Sequence, residues 1–529
     1  MKRFFNSPLF WIISAAVLVC GVLMSALDGS DNWSRGWLAY SLLLGLGAGS
    51  LGLAWRITSP DRPAAAAALT AFIVRLIFGV SLTLLLPVIG YRHNLEHQAG
   101  YVFTDSYNRD NLAWELATSE QPLTAAFSGE YASDQYGGLL GLSALIYRSL
   151  SPDAHRPMLL LVVNATLAAW GVLLFWKASQ AWLDRKGGIF ATWLVALFPE
   201  SVLLASSQMR EPLIIPAIAL TLYGYTQFQS RQRGWWGWLA AAALILLTIQ
   251  PLAAFTAFGV LAGFWLFDPA RLQGWSHRRV FLITGIVLAI GGVILLVAGA
   301  ILANLPSLQE TGPFGTLLTW LRNNFTFQSY LAERASGMLQ KLLDILPEQL
   351  HWLVILVYGI AQPVLPAVVG DPGAIPAMRL IGFLRAVGWY ALAPLLIYGV
   401  MLLLRSRGEL RRWQFLWLSL VSWAWIAISA LNAGGDQWDN PRYRTILLPW
   451  FALLAGWAWS WARQHKDVWL SRWLGVETVF VLLFTEWYLG RNYPGFPHLD
   501  IQVMIAATLG LATLILGGGW VWDWYQRRH

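Results

Sequence analysis

Fourteen apolar runs punctuate the chain, at residues 9–27, 36–55, 69–90, 158–176, 187–204, 212–228, 235–249, 251–267, 280–303, 384–404, 413–431, 443–462, 474–490 and 499–522. Most approach the roughly 20 residues that a helix needs to cross a hydrocarbon core about 30 Å thick. A spanning segment has to satisfy its backbone N–H and C=O groups without water, and a continuous apolar run of this length does so as a helix. The sequence therefore predicts an all-α polytopic membrane protein, a helical bundle of about 14 spans. Composition agrees: 57% of the 529 residues are hydrophobic and only 12% are charged, about half the charged share usual in a soluble domain.

Two stretches need separate treatment. The run 235–267 is too long for one straight crossing, and Gln250-Pro251 supplies a break, so two short helices are expected there. The run 351–369 contains Pro363 and Pro366 and is read as interfacial or re-entrant. Counting it as a crossing would put Arg405, Arg407, Arg411 and Arg412 on the outer side, against the preference of Lys and Arg for cytoplasmic loops. Lys2-Arg3 ahead of the first run resembles the start of a signal peptide, but no small-x-small site follows. A retained first span is expected. The single cysteine, Cys20, lies within it, so no intrachain disulfide forms.

With the N-terminus inside, 21 of the 36 Lys and Arg residues fall in short inner turns, 14 are spread over longer outer segments, and Arg75 is expected near the inner end of the third span. That bias sets the orientation: a multi-pass plasma (inner) membrane protein with both termini cytoplasmic. The formal charge of +8 is then a product of topology, and no nucleic-acid partner is expected. Trp residues at span ends, among them Trp33, Trp236, Trp417, Trp520, Trp522 and Trp524, read as interfacial anchors.

Two long outer loops remain, at 91–157 and 304–383. Each carries amphipathic pieces, Gly138–Leu150 and Phe314–Leu346, suited to the membrane surface. The working face is thus expected outside. The chain divides into two added N-terminal helices (1–65), a core with the first outer loop (66–303), the second outer loop (304–383) and C-terminal spans (384–529).

Candidate chemistry lies in three outer segments. In the first, Tyr101–Glu130, the spacing of Asp105, Asp110, Ala113, Leu116 and Ala117 predicts a helix beginning just after Asp105, with Asp105 or Ser106 at its N-cap. Asp110 and Glu115 then read as its polar face. The second is Ser206-Ser207-Gln208-Met209-Arg210-Glu211-Pro212. An acid at a membrane boundary is costly unless used or paired, and Arg210 is the neighbour available to Glu211. The third is Asp436-Gln437-Trp438-Asp439-Asn440-Pro441-Arg442-Tyr443-Arg444. Its arginines offer planar donors suited to a phosphate; the plainer reading balances Arg442 and Arg444 against Asp436 and Asp439. His93 and His97, one helical turn apart, lack further ligands at a clear spacing, so they read as surface histidines and no metal site is assigned.

These three segments, in this order and on one side, resemble the GT-C glycosyltransferases, multispanning enzymes that use lipid-phosphate-linked sugars and include aminoarabinose transferases and protein O-mannosyltransferases. The matches are Asp105 with Ala113 eight residues on and then Gly137-Gly138-Leu139-Leu140-Gly141; Glu211 at a helix start; and Arg442-Tyr443 with Pro449 ahead of a late helix. Ser106 stands where the family usually has a second acid, which argues against a two-acid metal clamp. The resemblance runs from about residue 69 to 465. It implies a GT-C-like bundle and a polyprenyl-phosphate-linked sugar donor in the bilayer. It implies transfer with inversion to a hydroxyl of a glycan, lipid or protein acceptor. Asp105 and Glu211 would be the catalytic acids; Arg442, Arg444 and Arg210 would hold the donor phosphate; Tyr107, Asp110 and Tyr443 would line the acceptor site or cavity. Whether a divalent cation takes part is left open. Polysaccharide polymerases and ligases share the long outer loops and remain an alternative. A lipid or sugar transporter would show paired halves and mid-membrane acids, and a non-catalytic assembly partner would bind no lipid phosphate.

Overall fold

A computed structural model describes residues 8–128, 131, 137–269, 282, 343, 346–406, 409–433, 438–497, 499–526 and 528. Among these the regular structure is all helical. Eight helices are long and apolar enough to cross a membrane, and a ninth crossing results if one bent pair counts as a single span. The expectation of 14 spans exceeds this. The run at 280–303, the amphipathic stretch before residue 343, Glu130, Asp436 and Arg407 lie outside the described residues. Other expected spans are present as shorter apolar helices, including Trp235–Ile249 and Pro251–Leu266, divided at Gln250 as Pro251 predicts.

The chain forms two compact units, Met1–Ala254 and Phe255–His529. In the first, α1 (Pro8–Asp28), α2 (Trp33–Thr58) and α3 (Arg62–Ile89) follow in succession. Local caps start α2 and α3. Asn32 Oδ1 accepts from the Arg35 N–H at 3.3 Å, and Asp61 Oδ1 from the Ala64 N–H at 3.1 Å, which satisfies N–H groups that no helical carbonyl reaches. Next come α4 (Thr104–Thr118), α5 (Gly138–Leu150), α6 (Met158–Ser179), α7 (Arg185–Leu197), α8 (Pro199–Ser206), α9 (Glu211–Gln229) and α10 (Trp235–Ile249). Helix α6 is the centre of this unit: α2, α3, α7 and α9 all pack on it. One apolar cluster joins Met24 and Tyr40 of the first two helices to Ala113, Leu116 and Ala117 of α4, Tyr147 of α5 and Met158–Val162 of α6. The N-terminal helices thus share a core with the first polar segment.

Arg75 is placed differently from its expected position near the inner end of a span. It is the fourteenth residue of the 28 in α3 and is buried. Pro199 explains this. Proline has no N–H and disfavours helix in the residue before it, so the chain breaks between α7 and α8 and the Val195 and Ala196 carbonyls lose ladder partners. Arg75 replaces them: Nη1 donates to Ala196 O at 2.6 Å and Nη2 to Val195 O at 3.4 Å and Ser201 Oγ at 3.0 Å.

The second unit holds α11 (Pro251–Leu266, which starts at the boundary), α12 (Glu348–Ala361), α13 (Leu365–Gly370), α14 (Pro376–Arg405), α15 (Arg412–Ala433), α16 (Asp439–Thr445), α17 (Leu448–Gln464), α18 (Trp469–Asn492) and a last span, Ile501–Gln526. The break between α12 and α13 falls at the prolines that marked 351–369 as interrupted. Helix α14 begins at Pro376, eight residues ahead of the apolar run that starts at 384. Trp417 is also displaced from its expected role: it is 4% exposed, with its ring 6.0 Å from Phe267, a core residue and no interfacial anchor.

Candidate functional site

In the first unit the site is built on α4. The helix starts at Thr104 with Phe103 at the N-cap, two residues earlier than a cap at Asp105 predicts. Asp105 therefore sits within the first turn, where a carboxylate meets the positive end of the helix dipole. It is exposed, whereas Ser106, Arg109 and Asp110 are buried. Tyr107 is half-buried and packs edge-on against Tyr101, with ring centroids 5.6 Å apart.

Three contacts fix this helix. Arg148 of α5 covers its C-terminal end: Nε donates to Ala117 O at 3.1 Å, and Nη2 to Leu116 O at 2.5 Å, Ser119 O at 3.2 Å and Gln121 O at 2.9 Å. The carbonyls of the last turn have no helical partner, and a cation there also suits the dipole. The middle is held through Asp110, which is 3% exposed. Its Oδ2 accepts from Tyr101 OH at 2.5 Å, its Oδ1 from Tyr147 OH at 2.5 Å, and His155 Nε2 lies 2.8 Å from Oδ2. Burial first, and the adjacent carboxylate second, push both tyrosine hydroxyls well above their usual range, so both keep their protons and donate. His155 stacks on Trp114 at 5.2 Å and meets Tyr147 edge-on at 5.1 Å. Beside Asp110, Arg109 Nη1 donates to Gln208 O at 3.3 Å.

The reading of Asp110 as solvated polar face is thereby corrected. The carboxylate is enclosed by groups 9, 37 and 45 residues away in sequence. Glu115 is exposed as expected. The signal available was periodicity: Asp110 shares the buried face of Ala113 and Ala117, three and seven residues on.

The Arg109–Gln208 bond brings α4 to the turn that precedes α9. Asp105 is four residues before Arg109 and so shares its face of the helix. Gln208 has φ +57°, a left-handed conformation that costs a non-glycine residue about 1–2 kcal/mol. The turn it makes delivers Arg210 as N-cap and Glu211 as the first residue of α9, with Glu211 buried and Arg210 half-buried. The Arg109–Gln208 bond thus links the helix that carries Asp105 to the turn that precedes Glu211. Arg109, Gln208, Tyr101, Tyr147 and His155 make the contacts that hold this helix, although their sequence context does not mark them.

In the second unit, α16 and α17 form the bent pair, at 73°. Pro449 lies in the first turn of α17. Arg442 and Arg444 are each only 2% exposed. Arg442 Nη1 meets Asp439 Oδ1 at 3.1 Å, with the guanidinium carbon 5.3 Å from the Tyr443 ring centre. Arg444 lies 3.5 Å from the Trp389 ring centre and donates to the carbonyls of Ile360 and Gln362, so it covers the end of α12. Asn440 Nδ2 donates to Gly359 O at 2.6 Å, and Arg385 Nη2 to Trp438 O at 2.7 Å. The plainer reading is present in part: Arg442 does pair with Asp439.

No family model and no curated protein matches this chain. Among solved structures, the archaeal oligosaccharyltransferase AglB from Archaeoglobus fulgidus, in complex with an inhibitory peptide and a dolichol-phosphate, aligns with 85% of this chain and 54% of its own, at 13% identity and a TM-score of 0.35. The Archaeoglobus fulgidus oligosaccharyltransferase in the apo form aligns with 84% and 54%, at 14% identity and a TM-score of 0.35. The chain spans about half the length of these proteins. A superposition at that score does not establish a common fold.

Histidines 93 and 97 do not form a pair of surface ligands. His93 is exposed, but His97 is buried, its Nδ1 accepts from the Tyr91 N–H at 3.0 Å, and its ring stacks on Tyr91 at 5.5 Å. Burial holds its pKa below the usual value, partly offset by Glu96. Among the described residues, no group of three His, Cys, Asp or Glu side chains comes together.

Proposed function

We propose that this protein is a glycosyltransferase of the GT-C type, moving a sugar from a polyprenyl-phosphate donor to an acceptor hydroxyl at the extracytoplasmic membrane surface. The observation that carries this reading is the presentation of Asp105: an exposed carboxylate in the first turn of a helix held in its middle through Arg109 and Asp110 and at its C-terminal end by Arg148. A base held that rigidly needs little reorganisation at the moment of reaction, which is the general requirement for proton abstraction by a side chain. The acceptor oxygen attacks the anomeric carbon and gives its proton to Asp105. The bond from that carbon to the phosphate oxygen breaks, and the phosphate leaves with the electron pair. A single displacement inverts the anomeric centre. Glu211 orients the acceptor at the neighbouring turn.

The leaving phosphate calls for cationic donors more than for a strong acid. Such donors for a lipid phosphate are proposed in each unit, Arg210 beside Glu211 in the first and Arg442 in the second. Arg444, directed at the α12 carbonyls, supports the helix that carries Arg442. Tyr107 and Tyr443 are the proposed lining residues, while Asp110 acts by fixing α4.

Undecaprenyl phosphate is the probe for the donor site, with binding to purified protein measured by native mass spectrometry. Arg442→Ala is expected to weaken it by roughly tenfold or more, as loss of a charge-assisted hydrogen bond implies. Unchanged binding by that variant would remove the phosphate role from Arg442.

A further inference from the structure

Arg75 has five N–H donors, and four directions of bonding are accounted for. Nη1 reaches the Ala71 and Ala196 carbonyls, and Nη2 reaches Val195 O and Ser201 Oγ. Its Nε is buried and has no hydrogen-bond partner among the described residues. An unsatisfied N–H in an apolar interior costs several kcal/mol, so the position of that group matters.

Arg75 borders a cavity also lined by Gly171, Ser201, Pro212 and Pro216. The space open to the centre of a water molecule is about 10 Å³, close to the room of a single molecule. A second polar group belongs to another of the lining residues, Pro212. Within α9, Pro216 removes the N–H that would close the ladder onto the Pro212 carbonyl four residues earlier. Gly171 keeps α6 close to this point: a Cβ there would lie 3.0 Å from Pro216 Cα and Cβ. The cavity therefore combines a buried donor, a carbonyl deprived of its regular donor and a serine hydroxyl, in otherwise apolar surroundings.

We infer that one ordered water occupies this cavity. It accepts from Arg75 Nε–H and donates to the Pro212 carbonyl and Ser201 Oγ, tying α3 to α8 and to the first turn of α9. Such a bridge has the two to four polar partners that a buried water needs, and it lies midway along α3. It also braces the helix that begins with Glu211, and it holds whether or not the protein transfers a sugar.

The test uses the full chain in lipid nanodiscs. A map that resolves waters should show a peak about 2.7–3.2 Å from Arg75 Nε. Radiolytic hydroxyl labelling in ¹⁸O-water, read by mass spectrometry, should mark the buried Ile215 and Pro216 above the level of packed helix interiors. Pro212→Ala keeps the carbonyl and should keep the label on Ile215. Pro216→Ala returns an N–H to that carbonyl and should lower the Ile215 label severalfold. A protein or lipid atom in contact with Arg75 Nε would overturn the inference. So would background labelling of Ile215 in wild-type protein that retains its thermal midpoint.

Discussion

Individual residues carry the sharpest consequences. Tyr147 is fully buried and donates to Asp110. Tyr147→Phe keeps the ring but leaves a buried carboxylate oxygen short of a donor, an expected loss of about 1–3 kcal/mol, visible as a lower thermal midpoint in detergent. An unchanged midpoint would mean that Asp110 is satisfied some other way. His97 gives a pH dependence of definite sign. Its folded pKa lies below the ordinary value of 6.5, so the folded state binds fewer protons than the unfolded one. Its contribution is complete above about pH 6.5 and is lost as pH falls through the depressed folded value. Wild-type thermal midpoints should therefore fall on acidification in that window. His97→Gln, which offers an oxygen to the Tyr91 N–H, should flatten this part of the profile.

Among the elements, the knot between the N-terminal hairpin and the segment before α6 is the clearest target. Arg156 is 0% exposed. Nε lies 3.2 Å from Asp28 Oδ2, and the guanidinium grips Asp153 at 3.0 and 3.1 Å and reaches Asn32 O at 3.0 Å. Removing one partner of a buried ion pair leaves an uncompensated charge, at about 3–5 kcal/mol. Arg156→Met is thus expected to loosen α1 and α2 from the unit, measured as faster hydrogen exchange at residues 28–35. The break at Pro251 was legible because its cause is local, whereas the break ahead of Pro199 fell inside a run read as continuous, 187–204. The parts that could not be read depend on distant partners. Arg75 looked like an end-of-span arginine because the carbonyls it serves lie 120 and 121 residues away. Asp110 looked solvated because its ligands come from three separate segments.

At the scale of the molecule, apolar run lengths specified an all-helical membrane protein, and the described residues have that character. Of the candidate site residues, Asp105 and Glu211 were marked by residue type near helix starts, and the bond from Arg109 to Gln208, which ties the helix of the first to the turn before the second, was not legible because its partners lie 99 residues apart. The account makes Asp105 the proton acceptor, and reconstituted protein supplied with a panel of polyprenyl-phosphate sugars tests that directly. Asp105→Asn should retain its thermal midpoint and its undecaprenyl phosphate binding while transfer falls by about 10²–10⁴-fold, the range expected for loss of a general base. Full transfer by this variant would contradict the account.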